Sequence, residues 1–367
     1  MKNWKCALSF FGAILVLAGC GGGGGDTSLS RSTFGGYVNF GDSLSDVGSY
    51  RVGTVAALKG GLYTINSDTA LNWTAVVAKT YDLPAPCAAQ TGLDGFASQG
   101  FSVPVTNVPN CFNYAQGGSR VTLQPGSANK LFGGSSAVIG QLTLPVKDQM
   151  STHLAKIGGA YSGNELVTVF AGANDLFIQA GIFQATVAAL IESGRTPDAA
   201  KTTAGNAAGL AMSTAAAELA GYVKTLVVGK GAKNVVVLNL PNVSRTPESL
   251  AAGAETQAFV NRLNTVFNDN LKQSLAGLTE VVLVDTYTES TIQADNPARY
   301  GLTNVKDSAC GTNVLGGSAL VCNASNLNPG DVSRYLYSDG VHPTPYGYEL
   351  LAKFVVSAMI KSGFPGS

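Results

Sequence analysis

The stretch Tyr37-Val38-Asn39-Phe40-Gly41-Asp42-Ser43-Leu44 joins an apolar run to a small polar turn. The run predicts a buried strand, and the turn puts a serine hydroxyl at its carboxyl end. Further apolar runs occupy residues 165–171, 234–240 and 281–284, and residues 111–115 read as a short second strand. Between the runs, apolar residues recur every three or four positions. Val146, Met150, Leu154 and Ile157 do so, as do Leu176 to Ile191, Phe259 to Leu275 and Tyr346 to Ala358. An alanine-rich helix is expected over 205–228, and a short one over 72–83. Strands alternating with helices predict an α/β fold, with a parallel sheet covered on both faces. Strands apolar throughout fit burial on both sides. Residues 50–110 and 286–335 read as largely irregular, and no linker divides the chain, so residues 35–367 are expected to form one domain.

Composition narrows the function classes. Charged residues make up 13% and apolar residues 45%, with 23 bases and 23 acids. No basic face points to nucleic acid, and none is expected as a partner. No P-loop, dinucleotide fingerprint or metal-ligand spacing occurs, so neither cofactor nor metal is expected.

The N-terminus reads as a targeting segment over residues 1–19. Lys2 and Lys5 precede an apolar stretch from Ala7 to Val16, too short for a membrane span. The following Leu17-Ala18-Gly19-Cys20 resembles the lipobox of bacterial lipoproteins, which implies cleavage before Cys20 and lipid on its thiol. Residues 20–34, with Gly21 to Gly25, have the composition of a flexible tether. The expected location is the bacterial envelope, at the outer membrane in a Gram-negative host. Export favours disulfides among Cys87, Cys111, Cys310 and Cys322. Of the three pairings, the local Cys87–Cys111 and Cys310–Cys322 are favoured.

Three polar clusters fall at strand ends, where open α/β sheets bind ligands. They are Ser43, the segment Asn113-Tyr114-Ala115-Gln116-Gly117-Gly118, and Gly172-Ala173-Asn174-Asp175. Near the other end of the chain, Asp339-Gly340-Val341-His342-Pro343 places a carboxylate three residues from an imidazole. Ser43 is the candidate nucleophile, His342 its base, and Asp339 the group that orients the imidazole. The backbone N–H groups of Ser43 and Gly118 and the Asn174 amide are candidate oxyanion donors. The serine is expected at a strand-to-helix turn, where free N–H groups collect. The other histidine, His153, sits beside an apolar stripe and reads as a surface or packing residue.

These four blocks in this order resemble the GDSL family of SGNH hydrolases, over roughly residues 37–360. The resemblance implies a three-layer α/β/α fold like flavodoxin, with strand order 2-1-3-4-5. It implies a serine esterase or lipase with Ser43, Asp339 and His342 as triad and Gly118 and Asn174 as oxyanion donors. Many relatives carry Asn where this chain has Ser49, which concerns the turn after the serine. Expected partners are a small-molecule or lipid ester and, through Cys20, a membrane. Lysophospholipase, acyltransferase and polysaccharide acetylesterase activities use the same groups, and a non-catalytic surface-binding lipoprotein is the reading from another class. Apolar residues of 50–110 (Leu62, Tyr63, Trp73, Leu93, Phe96, Phe101, Val103) and of 123–145 (Leu131, Phe132, Ile139, Leu142) are expected to wall an acyl pocket.

Overall fold

A computed structural model describes residues 34–366, apart from the side chain of Ser135. The expected targeting segment, Cys20 and nearly all of the expected tether lie outside the described residues. The described chain falls in one compact unit.

Its centre is a sheet of four parallel strands: β1 (Gly36–Gly41), β2 (Glu165–Phe170), β3 (Asn234–Leu238) and β4 (Val281–Val284), side by side in that order. Side chains alternate across it, as the two-residue period of a strand requires. Val38, Phe40, Val167, Val169, Val235 and Val237 face the helices Val146–Lys156, Pro197–Tyr222 and Ala254–Leu275. Tyr37, Leu166, Phe170, Val236, Leu238 and Val284 face the helices Trp73–Thr80 and Pro345–Lys361. This is the three-layer α/β/α arrangement. Burying one such Val, Leu or Phe side chain is worth roughly 1.5–3 kcal/mol.

The expected fifth strand is reduced. Residues 111–115 make only isolated bridges, Asn113 against Asn39 beyond the free edge of β1 and against Ala88 on its other side. Asn39 N–H donates to Phe112, Tyr114 N–H to Asn39 and Gln116 N–H to Gly41, so the segment occupies the outer position without forming a ladder. Its far side is taken by residues 87–89, joined through Ala89 N–H to Asn113 O and by the disulfide Cys87–Cys111. The expected order 2-1-3-4-5 holds in place, with position 2 filled by this edge segment.

The helices start and stop on local signals. Asn72 accepts from Ala75 N–H ahead of Trp73–Thr80. Thr196 and Thr344 cap helices that carry proline in the first turn. Two stretches read as irregular hold structure. Gln90–Asp94 and Ser102–Asn107 pair antiparallel, while Asn304–Ser308 and Tyr335–Tyr337 pair in parallel. A helix also runs from Thr286 to Asp295.

Candidate active site

Register puts the site on one edge. Gly41, Phe170, Leu238 and Val284 lie side by side at the carboxyl ends of the four strands. Gly41 must be glycine, because a Cβ there would stand 2.4 Å from the Phe170 carbonyl oxygen. Gln149, fully buried on the helix Val146–Lys156, accepts from Gly41 N–H (2.9 Å) and donates to Gly41 O (2.8 Å). Nothing in the sequence singled Gln149 out; its only signal is a polar residue on an otherwise apolar helical face.

Ser43 sits in the turn after β1. No helix follows, contrary to expectation; instead the Asp42 carboxylate accepts from Leu44 N–H (3.1 Å) and Ser45 N–H donates to Asp42 O. Further on, Asp46 knits the turn to the glycine segment. It accepts from Gly48 N–H, Ser49 N–H, the Ser49 hydroxyl and Gly117 N–H. Ser49, where many relatives have Asn, thus supplies two of those donors.

Ser43 Oγ and His342 Nε2 are 2.8 Å apart, and His342 Nδ1 is 2.9 Å from each oxygen of Asp339. Asp339 Oδ1 also accepts from Val341 and His342 N–H, and Oδ2 from Ala319 N–H. With His342 and Asp339 side chains only 13% and 12% exposed, the pair is nearly desolvated yet within reach of a ligand. Burial works to raise the Asp339 pKa, but the imidazole's charge and these donors outweigh it and hold it at about 2. For His342 burial pulls the pKa down, while Asp339 first, then Asp42 and Glu248, lift it above the ordinary value. Asp42 itself is pushed to about 7 by burial. Tyr63 lies over the imidazole with ring centres 4.8 Å apart.

Gly118 and Asn174 come to the same edge. Gly118 has φ +81°, and a Cβ there would meet Ser127 O at 1.9 Å. Its neighbour Gly117 is pinned at both ends, N–H to Asp46 and carbonyl to the Tyr50 hydroxyl. The N–H groups of Ser43 and Gly118 donate to no acceptor among the described residues. Asn174 stands in the first turn of the helix Ala173–Glu192, which Gly172 opens at φ +117°. One Nδ2 hydrogen bonds Ser119 O (3.0 Å), which orients the amide and leaves its second hydrogen. Asp175 grips the segment just after the glycines, accepting from Arg120 Nε and Val121 N–H at 2.9 Å each. That role was not legible in the sequence, where Asn174 and Asp175 also suit a helix cap.

His153 is a packing residue. It is buried among Phe40, Phe112, Tyr114 and Tyr161, Nδ1 lies 3.1 Å from the Tyr114 hydroxyl, and burial lowers its pKa to about 4. The disulfides are Cys87–Cys111 and Cys310–Cys322. Among the described residues no group of acidic, histidine and cysteine side chains could hold a metal.

The expected apolar wall is corrected. Trp73 is buried under the sheet, with Nε1 donating to Ser45 Oγ. Tyr63, Leu93, Phe101 and Ile139 pack with Tyr50, Val55, Leu320 and Val321 into a satellite core, while Phe96, Leu131 and Phe132 stand exposed. These side chains hold the excursion to the domain. A different cavity of about 80 Å³ is lined by Leu44 and Val341, chain neighbours of Ser43 and His342, with Phe170, Leu351 and Phe354 and, on a polar side, Glu289 and Gln293.

A serine, an imidazole and a carboxylate in one hydrogen-bonded line, at the carboxyl edge of a parallel sheet, define an α/β protein with a serine–histidine–aspartate site. A family model described as GDSL-like Lipase/Acylhydrolase matches residues 37–355, and the chain belongs to that family. Among curated relatives, a GDSL esterase/lipase of Arabidopsis thaliana is 27% identical over 145 residues, 35% of this chain and 40% of the relative. Another from the same plant, GDSL esterase/lipase APG, is 28% identical over 149 residues, 38% of this chain and 41% of that one. The chain thus spans about 40% of the length of the curated relatives it matches. Among solved structures, a member of the lipolytic protein G-D-S-L family from Veillonella parvula aligns at TM-score 0.39 and 12% identity, over 89% of this chain and 98% of its own. Phospholipase A1 from Streptomyces albidoflavus aligns at 0.44 and 14%, over 88% and 98%.

Proposed function

We infer that the protein is a carboxylic ester hydrolase working through an acyl-serine intermediate. The observation that carries this is the 2.8 Å contact between Ser43 Oγ and His342 Nε2, with Asp339 on the other ring nitrogen. In the proposed cycle His342 takes the Ser43 proton as Oγ attacks the ester carbonyl carbon. The oxyanion receives hydrogen bonds from the N–H groups of Ser43 and Gly118 and from Asn174 Nδ2. The imidazolium then protonates the departing alcohol oxygen, and water, deprotonated by His342, releases the acid. The cavity bounded by Leu44 and Val341, neighbours of the nucleophile and the base, suits a short acyl chain. Lysophospholipase, acyltransferase and sugar acetylesterase chemistry would use the same groups, and product analysis on a lysophospholipid, an acylglycerol and an acetylated sugar separates them. A fluorophosphonate should label Ser43, and Ser43→Ala should abolish both labelling and hydrolysis of chromogenic esters. Labelling elsewhere, with hydrolysis intact in the variant, would refute the assignment to Ser43, and a wild-type protein that neither takes the label nor hydrolyses esters would favour a binding role.

The mature protein is proposed to be an exported lipoprotein of the bacterial envelope, anchored by lipid on Cys20. Leu17-Ala18-Gly19-Cys20 supports this, and so do the two disulfides, which persist in oxidising compartments.

A further inference from the structure

We propose that the disulfide-closed loop from Cys310 to Cys322 positions the carboxylate of Asp339, acting through the backbone N–H of Ala319. Asp339 Oδ1 is held by its own turn, through Val341 and His342 N–H. Oδ2 takes its only backbone donor from outside that turn, Ala319 N–H at 2.8 Å. The torsion that spins a carboxylate about its Cβ–Cγ bond is broad and only weakly restrained by the side chain itself. Hydrogen bonds therefore decide which plane the carboxylate presents to His342 Nδ1, and this amide supplies the one bond the turn cannot.

The loop is built to hold that amide still. Cys310 N–H donates to Ser338 O, directly before Asp339, and the Cys310–Cys322 bond ties that point to the far end of the loop. Asn66, buried, reaches in from the segment that carries Tyr63. Its Nδ2 lies 3.0 Å from the carbonyl oxygens of both Ala319 and Cys322, and its N–H donates to Cys322 O at 2.7 Å. Gly61 N–H donates to Leu320 O, and Leu320 and Val321 are buried in the satellite core. Bond, clamp and packing converge on a three-residue turn whose first amide points at Asp339. The loop touches no reacting atom, so its residues are positioning residues.

The test exploits local geometry. Ala319 is the first residue of that turn and Ser318 before it is extended (φ −59°, ψ 136°), a setting that accepts proline. Ala319→Pro removes the N–H but sets proline Cδ where the hydrogen pointed, against Oδ2, so the double serine variant, which adds no bulk there, is read beside it, and Ala319→Gly keeps the N–H. The kinetic consequence rests on the esterase reading, so a second readout does not: the downfield NMR resonance of the His342 Nδ1 proton bound to Asp339. The other groups facing the pair, Asp42, Glu248, Tyr63 and Tyr348, stay in place. Expected for Ala319→Pro is loss or broadening of that resonance and a fall in kcat of about 10–100-fold with KM little changed. Ala319→Gly should match wild type, and Cys310→Ser/Cys322→Ser should fall in the same direction as proline. A wild-type resonance and kcat in folded Ala319→Pro overturns the proposal, as does an equal loss in Ala319→Gly. Should Ala319→Pro not fold, an unchanged resonance and kcat in the double serine variant overturns it. Wild-type protein that hydrolyses no ester and resists the fluorophosphonate sinks the esterase reading instead, and the resonance still decides the positioning role.

Discussion

At the scale of single residues, the electrostatics of the triad set the pH behaviour. Asp339, held at about 2, stays ionised throughout the working range. His342 must be neutral to accept the serine proton, and its pKa is raised, so hydrolysis should fall with decreasing pH through a midpoint above about 6.5. Asp42, pushed to about 7, titrates beside it, and the limb belongs to the pair. Asp42→Asn keeps an oxygen for Leu44 N–H and removes the charge that lifts His342. The midpoint of kcat/KM should move down; a midpoint that stays put would show that Asp42 does not act on the imidazole. Asn174 is proposed to meet the oxyanion mainly in the transition state. Asn174→Ala should therefore cost kcat about 100-fold or more and leave KM nearly unchanged. An unaltered kcat would leave the amide only its bond to Ser119 O.

At the scale of elements, strand ends and long loops divide the work. The strands end in register, so the residues that follow them share one edge although neighbouring strand ends lie from tens to more than a hundred positions apart in the chain. The helix Pro345–Lys361 lies under that edge and lends Leu351 and Phe354 to the small cavity beside Leu44 and Val341. If a short acyl chain occupies it, butyrate esters should outperform acetate in wild type. Leu351→Trp should reverse that order by filling the space, since each methylene in an apolar pocket is worth about 1–3 kcal/mol. A chain-length profile identical to wild type would place the acyl group elsewhere. The excursion over residues 50–110 was expected to form that wall. Tyr63 and Phe101 pack inward, because a long segment must bury apolar surface of its own to stay ordered, and Phe96 stays exposed.

At the scale of the whole molecule, the direction of the strands sets how the site is presented. β1 begins at Gly36, near the start of the described residues, and its opposite end leads to Ser43. Parallel strands place every amino end on one side of the sheet and every carboxyl end on the other. The proposed lipid anchor and the proposed reaction centre therefore attach at opposite ends of the first strand. Cys20→Ser should release the protein from membranes or block its maturation while purified domain keeps full activity on soluble esters. Mass spectrometry finding an unmodified Cys20 thiol in the membrane fraction would remove the anchor.

The sequence by itself determined the α/β class, the positions of the sheet's four strands and the helices between them. Those features depend on local apolar periodicity, visible in Tyr37 to Phe40 or in the Phe259-to-Leu275 stripe. It also named Ser43, Gly118, Asn174, Asp339 and His342 as candidates, because their residue types fit one chemistry and the histidines offered little choice. Tertiary structure alone decided what holds them. Gln149 on Gly41, Asp46 on Gly117, Asp175 on Arg120 and Val121, and Ala319 on Asp339 are contacts between segments distant in the chain. No spacing rule encodes them, since a buried polar side chain finds its partner only when packing brings the two segments together. The reduced edge at Asn113 has the same origin. Its pairing is set by the segments packed on its two sides, Asn39 of β1 and Ala88, and not by its own residues.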